Sequence, residues 1–441
     1  MMWEQSIFDA PEETPKLSKY QTFGARWLAA KRRAILADDI GLGKTATAIA
    51  ASDLVKSKHT LVIAPLSLLT QWRDEIIRFS THSETQWKLV NYEKVARCTE
   101  DYDCIIVDEA SYIKSAGAQR SENVVNLGMR TPYVFFLTAT PVRNEPSDLI
   151  NMLLVCTSGM RKDPMKHPLK AVWNNWDRKY FYITPHGRKL LMPMMREEWN
   201  GLVKQYMLRR TKQMLNLPSL STQLVAVPWS AQQEAIYRQA ETGLLQMADG
   251  ELQQAENALA IAMRLRQAAI DPALFGGPSD SGKAKWVTEF LLGEGQQHRV
   301  LIFSEFALYC MQLAETLKRW KPAILIGSMN QAQRSNELAR WKDGQTDVFI
   351  LSSQAGGFGL NLQEADVVIH TDLPWTMDVM EQRVGRAYRR GQNRPVHEYI
   401  LGHKDCIDRA MYKVIKRKGK VASETVAIAT VLEEIRKERR G

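Results

Sequence analysis

Cysteine is scarce in this sequence, and its few thiols form no recognisable pattern. The 441 residues contain five cysteines, which are scattered and include no CxxC pair. An odd number without paired spacing argues against a disulfide framework and against a zinc module, and it fits a reducing compartment. The sequence therefore excludes a small scaffold held together by disulfides.

Long apolar runs are also missing. No stretch approaches the roughly 20 residues that a membrane-spanning helix needs, and the first residues, MMWEQSIFDAPEE, lack the apolar core of a secretory signal. No repeat or low-complexity tract is visible. With 45% hydrophobic and 24% charged residues, the composition is globular, and the length allows about two or three domains. We expect a cytoplasmic protein if the source is bacterial or viral, and a nuclear one if it is eukaryotic.

Negative charge is in deficit. Lysine and arginine number 59 against 49 aspartates and glutamates, which gives a formal net charge of +10 and a pI of about 9.2. Composition leaves two interpretations open. The excess is either a basic surface without a partner, or the footprint of a polyanion such as nucleic acid, whose phosphates lysine and arginine neutralise.

The most informative stretch is LADDIGLGKTATAIA, residues 36–50, which reads as a strand end, a glycine-rich turn and a helix start. Small residues let backbone N–H groups point at phosphate oxygens, and the helix N-terminus adds its positive end. Lys44 is expected to reach the β- and γ-phosphates, and Thr45 to hold Mg²⁺. Asp38 stands where the strict loop has glycine. A simple packing turn is the alternative, but GKT directly after an apolar strand favours a nucleotide site.

A helix is predicted over residues 16–34, because apolar residues recur there three or four apart. Within it, Gln21 carries an amide that donates and accepts at once, which suits the edge of adenine. An ordinary glutamine on a helix surface is the alternative interpretation.

Strands and helices alternate after the glycine-rich turn. Strands are predicted at 60–64, 103–107 and 133–137, and an amphipathic helix at 68–79, a pattern typical of a parallel sheet with ligands at the carboxyl ends of its strands. Asp108 and Glu109 follow the second of these strands. We expect Asp108 to hold Mg²⁺ and Glu109 to orient the attacking water. A solvated turn is the alternative.

From 151 to 275 the pattern becomes helical and less regular, and its tryptophans are expected to be packing anchors. The segment MLRRTK carries a basic cluster; on a helix, Arg209 and Lys212 would share a face. A solvated face, contact with DNA phosphates, or bracing between two lobes are all open interpretations.

A second α/β pattern follows, with strands predicted at 299–303, 323–326, 348–351 and 367–370. Near its end, in EQRVGRAYRRGQ, Gln382, Arg386 and Arg389 fall four and three apart, which predicts one helix face. Surface salt bridges are the alternative, yet no acidic residue stands three or four places from either arginine. A planar guanidinium suits charge stabilisation on a transferring phosphoryl group. Since this half has no phosphate loop, these arginines are expected to act on the nucleotide bound by the first half.

The order of these motifs resembles helicase superfamily two, and within it the SWI/SNF-type double-stranded DNA translocases. The resemblance covers roughly residues 16–420. It rests on YQ, LADDIGLGKT, LVIAPLSLLTQW, VDEA, LTATPVRNEPSDL, MLRRTK, RLRQ, RVLIFSEF, AGGFGLNL and GRAYRRGQ. Asp38 in place of the loop glycine is a feature of the family. The chain departs from the family in having Ser111 where DEAH is usual, Thr376 and Met377 in a usual WNP, and Gly385 where an acidic residue is usual.

The resemblance implies an α/β fold of two tandem RecA-like lobes with short helical insertions. Expected bounds are 1–15 for a lead-in, 16–150 for the first lobe, 151–275 for the insertion and linker, 276–420 for the second lobe and 421–441 for a basic helical tail. ATP and Mg²⁺ are the implied cofactors. Implied ATP contacts are Gln21, Asp39, Gly41, Leu42, Gly43, Lys44, Thr45 and Ala46, with Lys44, Asp108, Glu109, Gln382, Arg386 and Arg389 in catalysis. Implied DNA contacts are Ser67, Arg143, Ser353, Gly357 and Trp375.

The leading hypothesis is thus an ATPase that moves along double-stranded DNA and remodels protein–DNA complexes or branched DNA, for example in DNA repair. A motor without appended reader domains is expected, monomeric when free, recruited by an unknown protein and without a membrane partner. One alternative is a strand-separating helicase on DNA or RNA, because Gly385 fits the broader pattern QRxGRxxR. A non-catalytic nucleic-acid-binding scaffold is the other.

Overall fold

The computed structural model describes residues 17–115, 117–142, 145–158, 168–184, 189–251, 255–352, 360–418 and 431. The chain divides into two compact units, Met1–Leu215 and Asn216–Gly441. The expected lead-in at 1–15 lies outside the described residues, as does the expected tail at 421–441 apart from residue 431. No helix in the described part of the chain is long and apolar enough to cross a membrane.

Unit 1 is built around a parallel sheet. Its strands are β1 Arg33–Leu36, β2 His59–Ile63, β3 Gln86–Val90, β4 Cys104–Asp108, β5 Tyr133–Leu137, β6 Phe181–Ile183, β7 Lys189–Leu191 and β8 Met207–Leu208. Its helices are α1 Lys19–Lys31, α2 Lys44–Leu54, α3 Leu69–Phe79, α4 Gln119–Arg130, α5 Ile150–Thr157, α6 Leu169–Tyr180 and α7 Arg196–Tyr206. Short 3-10 turns occupy Leu66–Leu68, Tyr92–Arg97, Ala110–Ile113, Pro146–Leu149, Pro193–Met195 and Lys212–Met214.

The main sheet of unit 1 has the order β3-β2-β4-β5-β1-β8. Strands β1 and β4 are buried along their whole length, as expected for a parallel sheet covered by helices on both faces. The register pairs Leu36 with Leu137 and Val107 with Phe136. The residues that follow β1, β4 and β5 therefore leave the sheet at one edge.

Tyr180, Phe181 and Trp199 lie in the core of unit 1. The rings of Tyr180 and Phe181 contact Trp199 at centroid distances of 5.1 and 4.9 Å. Trp173 and Trp176 pack against the same core. Strands β6 and β7 form a small antiparallel pair beside this cluster. These residues are packing anchors, as the sequence indicates.

Unit 2 has its own parallel sheet. Its strands are β9 Leu220–Val227, β10 Val300–Ser304, β11 Ala323–Leu325, β12 Val348–Ser352, β13 Val367–His370 and β14 Val396–His403. Its helices are α8 Ala231–Glu251, α9 Ala255–Ile270, α10 Gly282–Leu292, α11 Ala307–Thr316, α12 Gln331–Lys342, α13 Met377–Val384 and α14 Ile407–Lys418, with 3-10 turns at Pro272–Phe275, Glu294–Gln297 and Lys318–Trp320. The sheet order is β11-β12-β10-β13-β14-β9.

The predicted α/β class, with two parallel sheets flanked by helices, is confirmed. The boundary after Leu215 falls inside the expected insertion at 151–275, so that α5 to β8 belong to unit 1 and β9 to α9 belong to unit 2. The segment MLRRTK lies outside the α-helices, so the helical arrangement in which Arg209 and Lys212 would share a face does not occur. Met207 and Leu208 are extended because they pair with β1, and backbone bonds then continue this pairing along the loop that follows β1.

Candidate functional site

The glycine-rich turn between β1 and α2 adopts the backbone shape that its sequence predicts. Gly41 and Gly43 have φ angles of 89° and 76°, in the left-handed region that favours glycine. Gly43 is the N-cap of α2. A Cβ atom at Gly43 would lie 2.3 Å from Nε2 of Gln21. This position therefore requires glycine for its conformation and for the close approach of a neighbouring side chain.

Lys44 begins α2 and turns its ammonium back onto the loop. Nζ donates to the carbonyl oxygens of Asp38 at 2.8 Å and Asp39 at 3.4 Å. Burial lowers the pKa of Lys44, while the carboxylates of Glu109 and Asp38 oppose this shift. Thr45 and the buried Ala46 follow in the first turn of α2. The loop thus carries a partly desolvated cation at the helix N-terminus, which suits a polyphosphate.

Gln21 and its neighbour Tyr20 hold the loop from α1. The amide Nε2 of Gln21 donates to the carbonyl of Leu42 at 3.2 Å, and Ser18 donates to Oε1 from its backbone and its hydroxyl at 3.0 Å. The hydroxyl of Tyr20 donates to the same Leu42 carbonyl at 3.0 Å. Gln21 is therefore at the loop, but reading adenine would require its amide to exchange one of these bonds.

Asp38 is fully buried and is paired with Arg210. Its carboxylate accepts from the backbone N–H of Arg210 at 3.1 Å and from Nε at 2.9 Å, and its second oxygen accepts from Nη2. Asp39 is only half-buried, and its carboxylate accepts from the backbone of Lys212 at 3.1 Å. Segment MLRRTK therefore contacts the glycine-rich turn itself, a contact that its sequence alone did not reveal.

Asp108 and Glu109 lie at the end of β4, and two aromatic residues support them. The indole Nε1 of Trp72 donates to Oδ2 of Asp108 at 2.8 Å, and the backbone N–H of Glu109 donates to Oδ1 at 2.9 Å. Burial is the main cause that raises the pKa of Asp108, and the bond from Trp72 and the charge of Lys44 oppose it. The Asp108 carboxylate is thereby fixed in orientation.

Glu109 has a φ of 50°, which is unusual for a residue that is not glycine. The hydroxyl of Tyr92 donates to the carbonyls of Asp108 at 2.6 Å and Glu109 at 3.2 Å. The ring of Tyr92 stacks on Tyr112 at 5.3 Å. Left-handed backbone of this kind costs roughly 1–3 kcal/mol and persists where surrounding contacts hold it, often at active sites.

The oxygen donors of Asp108 and Thr45 are compatible with Mg²⁺. Within the described ranges there is no group of three or more histidine, cysteine, aspartate or glutamate side chains that could hold a metal alone. Asp108 and Thr45 supply oxygen donors, and each Asp108 oxygen keeps a second lone pair beyond the bond it accepts. Mg²⁺ is commonly held by one or two carboxylates together with water and substrate phosphates. This donor set matches that mode rather than a closed protein cage.

The structure brings Arg386 and Arg389 together, but not on a helix. Helix α13, which carries the half-buried Gln382, ends at Val384, so the prediction of one shared helix face is wrong. Nη1 of Arg386 and Nη1 of Arg389 both donate to the carbonyl of Leu360, at 3.4 and 3.5 Å. The two guanidinium groups are thus gathered by a turn that is attached to residues 360–365.

Gln392 fastens this turn. Its buried amide donates to the carbonyls of Gln363 at 3.0 Å and Ala365 at 2.7 Å, and it accepts from the backbone of Arg394 at 2.9 Å. The backbone of Leu362 also donates to the carbonyl of Arg386 at 3.1 Å. The segments LNLQEAD and GRAYRRGQ are therefore one hydrogen-bonded body in unit 2.

Two of the five expected DNA contacts, Ser67 and Trp375, fall within the described residues. Arg143, Ser353 and Gly357 lie outside the described residues, and Ser67 is described only as backbone of the turn Leu66–Leu68. Trp375 is half-buried, with the guanidinium of Arg266 5.0 Å from its ring centre. This tryptophan therefore already has a contact within unit 2.

Trp72, Tyr92, Arg210 and Gln392 are the site residues that sequence reasoning missed. Trp72 ends the motif LVIAPLSLLTQW and Gln392 ends the motif GRAYRRGQ, but the sequence assigns neither residue a role. A signal for Arg210 was present, because an aspartate in a buried loop start needs a partner. No signal singles out Tyr92.

Known protein families match most of the chain. The SNF2-related domain matches residues 20–94 and 85–274, and the helicase conserved C-terminal domain matches residues 282–391. The first of these alone covers more than half of the residues. The two matches follow each other in the order in which the two sheets occur.

Similar proteins include the putative ATP-dependent helicase/translocase YwqA of Bacillus subtilis, 26% identical over 456 residues that cover 89% of this chain and 47% of that protein. An uncharacterized ATP-dependent helicase, MG018 of Mycoplasma genitalium, is 26% identical and covers 93% of this chain and 42% of its own length. The chain thus spans less than half the length of these relatives. The SWI2/SNF2 ATPase core of Sulfolobus solfataricus in complex with dsDNA is 24% identical, with a TM-score of 0.41 over 96% of this chain and 95% of that chain.

Proposed function

This chain belongs to the SNF2-related family, and on that premise we propose that it is an ATPase that moves along double-stranded DNA. The observation that carries the proposal is the edge of the first sheet, where Lys44, Asp108 and Glu109 follow β1 and β4. The family supplies the expectation of ATP. The loop supplies the cation and the helix N-terminus, and the end of β4 supplies the adjacent carboxylates that phosphoryl transfer to water needs.

The residues of unit 1 divide the work. Lys44 releases the carbonyls of Asp38 and Asp39 to neutralise the β- and γ-phosphates, and Gln21 exchanges a loop bond for the adenine edge. Glu109, held by its strained backbone, orients and polarises the attacking water. Thr45 and Asp108 would hold Mg²⁺, which supplies charge neutralisation between the phosphates when bound.

Arg386 and Arg389 are proposed to stabilise charge on the transferring phosphoryl group. Their support is the joint anchorage on Leu360, which orients two guanidinium groups together, and the value of such groups in phosphoryl transfer. We expect Arg389→Ala to keep ATP binding and to lose about 10³-fold or more in turnover. Turnover equal to wild type in that variant refutes this role.

Duplex DNA is the proposed track, and protein–DNA complexes or branched DNA are the proposed substrates of remodelling. The net charge of +10 supports a polyanion partner. Contacts are expected to go mainly to phosphates, which position the motor without reading sequence. Ser67, Arg143, Ser353, Gly357 and Trp375 stay the proposed contacts.

ATP turnover measured with duplex DNA, single-stranded DNA and RNA tests the function. We expect duplex DNA to stimulate most, and Lys44→Ala and Glu109→Gln to abolish the stimulated rate. Stimulation by RNA alone overturns the proposal. If the wild-type protein turns over ATP no faster than Lys44→Ala and Glu109→Gln, the chain is a non-catalytic scaffold. If the protein displaces a strand in a helicase assay, strand separation becomes the assigned activity instead of translocation along the duplex.

A further inference from the structure

We propose that Arg210 is a positioning residue for the phosphate loop and that it acts through Asp38. The inference rests on the proposed nucleotide site, and it assigns a role to a basic segment that the function above does not use. Arg210 and Asp38 are 172 residues apart in the chain and both lie in unit 1.

The ion pair is closed to solvent on both sides. Only 4% of the Arg210 side chain is exposed, and the Asp38 side chain is not exposed at all. Nε and Nη2 of the guanidinium meet the two carboxylate oxygens, which is the bidentate geometry that makes such pairs strong and directional. Since water cannot replace either partner, the position of Asp38 follows that of Arg210.

The remaining surface of the guanidinium is also fixed. Nη1 donates to the carbonyl of Tyr20, and the guanidinium lies over the Tyr20 ring, 5.2 Å from its centre. Gly24 makes room for it, because a Cβ atom there would lie 2.7 Å from Nη2. Tyr20 in turn donates to the Leu42 carbonyl in the loop, so Arg210 supports the loop at two places.

Asp38 passes this position on to the catalytic lysine. The carboxylate of Asp38 is held by Arg210, while its carbonyl accepts from Nζ of Lys44 at 2.8 Å. A shift of Arg210 therefore moves the carbonyl on which Lys44 rests. This link explains why an aspartate occupies the place of a loop glycine.

The backbone of the same segment runs beside the loop. The N–H of Ala37 donates to Leu208 at 2.7 Å, and the N–H of Asp39 donates to Arg210 at 3.0 Å. Met214 and Leu215 then pack against Tyr20 and Leu42. Residues 207–215 thus form a strap along the phosphate loop up to the end of unit 1.

A DNA contact is the competing role for this basic segment, and the burial of Arg210 argues against it. A phosphate could not reach this guanidinium without breaking its bonds to Asp38. The neighbouring Arg209 is exposed, so it is the arginine of this segment that solvent or a phosphate can approach. The two adjacent arginines therefore form a matched pair for experiment.

The test compares Arg210→Lys with Arg209→Lys in the full chain. ADP affinity is measured by calorimetry, and KM for ATP and kcat are measured with saturating duplex DNA. Lysine keeps the charge but loses the fork, so only part of the population holds a competent loop; at one tenth competent, the apparent Kd rises about tenfold. We expect Arg210→Lys to raise the Kd for ADP and the KM for ATP about tenfold, with kcat within about twofold, because saturating ATP restores the loop.

The following outcomes would overturn the role of Arg210 or the nucleotide site on which it rests. Unchanged Kd and KM in folded Arg210→Lys, with only a lower Tm, overturn the positioning role, and weaker duplex binding with unchanged KM assigns Arg210 to DNA instead. If Arg210→Lys does not fold, Asp38→Asn is measured in its place, and normal ADP binding there overturns the proposal. When Asp38→Asn and Arg210→Lys are combined in one chain, their effects on the Kd for ADP should be far from additive, because both act on the same ion pair. Wild-type ADP binding no tighter than in Lys44→Ala refutes the nucleotide site itself, independently of Arg210.

Discussion

Replacing Trp72 with phenylalanine should weaken the binding of the proposed Mg²⁺ at Asp108 while leaving the glycine-rich turn intact. The indole N–H donates to Oδ2 of Asp108 at 2.8 Å, and only 1% of Trp72 and 9% of Asp108 are exposed. A hydrogen bond to a charged group is worth about 1.5–3 kcal/mol, and 1.36 kcal/mol corresponds to a factor of ten. Loss of a supporting bond behind a metal ligand commonly costs about 10–100-fold. We therefore expect the Mg²⁺ concentration for half-maximal turnover to rise by about 10–100-fold.

The assay titrates Mg²⁺ at a fixed, saturating ATP concentration, and ADP binding without metal is measured in parallel. Trp173→Phe is the matched control, because its indole N–H has no hydrogen-bond partner among the described residues and its ring packs against the core of the same unit. Both variants should lower Tm, but only Trp72→Phe should shift the Mg²⁺ titration. Equal Mg²⁺ titrations in Trp72→Phe and wild type would refute the reasoning.

Three further predictions follow from single contacts. Tyr92→Phe removes the hydroxyl that holds the two carbonyls at the end of β4. We expect kcat to fall about fivefold, since such a bond is worth about 1 kcal/mol; an unchanged kcat contradicts this. Gly43→Ala should lose ADP binding by at least about 100-fold because of the clash with Gln21 and the left-handed φ, whereas Gly201→Ala, with nothing near its Cβ, should bind normally. Burial lowers the pKa of His403 to about 4, so as the pH falls below about 6.5 the unfolded chain takes up a proton that the folded chain does not. The free energy of unfolding of unit 2, measured with urea, should therefore fall by about 2 kcal/mol between pH 7 and 5. A His403→Gln variant whose free energy of unfolding falls equally over this pH range would disprove the assignment.

The strands that sequence predicted are those with continuous apolar runs. Strands β2, β4, β5, β10, β11, β12 and β13 lie within about one residue of their predicted bounds. Burial on both faces of a parallel sheet favours such apolar runs. The short strands β6, β7 and β8 were missed, and so were β3, β9 and β14. Their sequences, QWKLV, LSTQLVAV and VHEYILGH, mix polar and apolar residues, and β9 is exposed over most of its length at a sheet edge.

The candidate site also contains residues that the sequence predicts and supporting residues that it does not. The loop, Asp108 and Glu109 are local signals, since each follows its own strand directly in the chain. Their supports come from farther away: Tyr92 and Trp72 are 16 and 36 residues from Asp108, and only the sheet brings them near. Spacing misled the prediction for Arg386, because a period of three or four does not reveal that α13 stops at Val384.

The pairing of Asp38 with Arg210 also sets an order of events during synthesis of the chain. Asp38 leaves the ribosome 172 residues before its partner. At about 5–20 residues per second, the nascent loop waits roughly 10–30 s with an aspartate that has no arginine to meet. A nascent chain that stops before residue 210 cannot finish its phosphate loop. The first unit is therefore completed by the last residues added to it, and premature termination or early cleavage there leaves a buried carboxylate without its counter-ion.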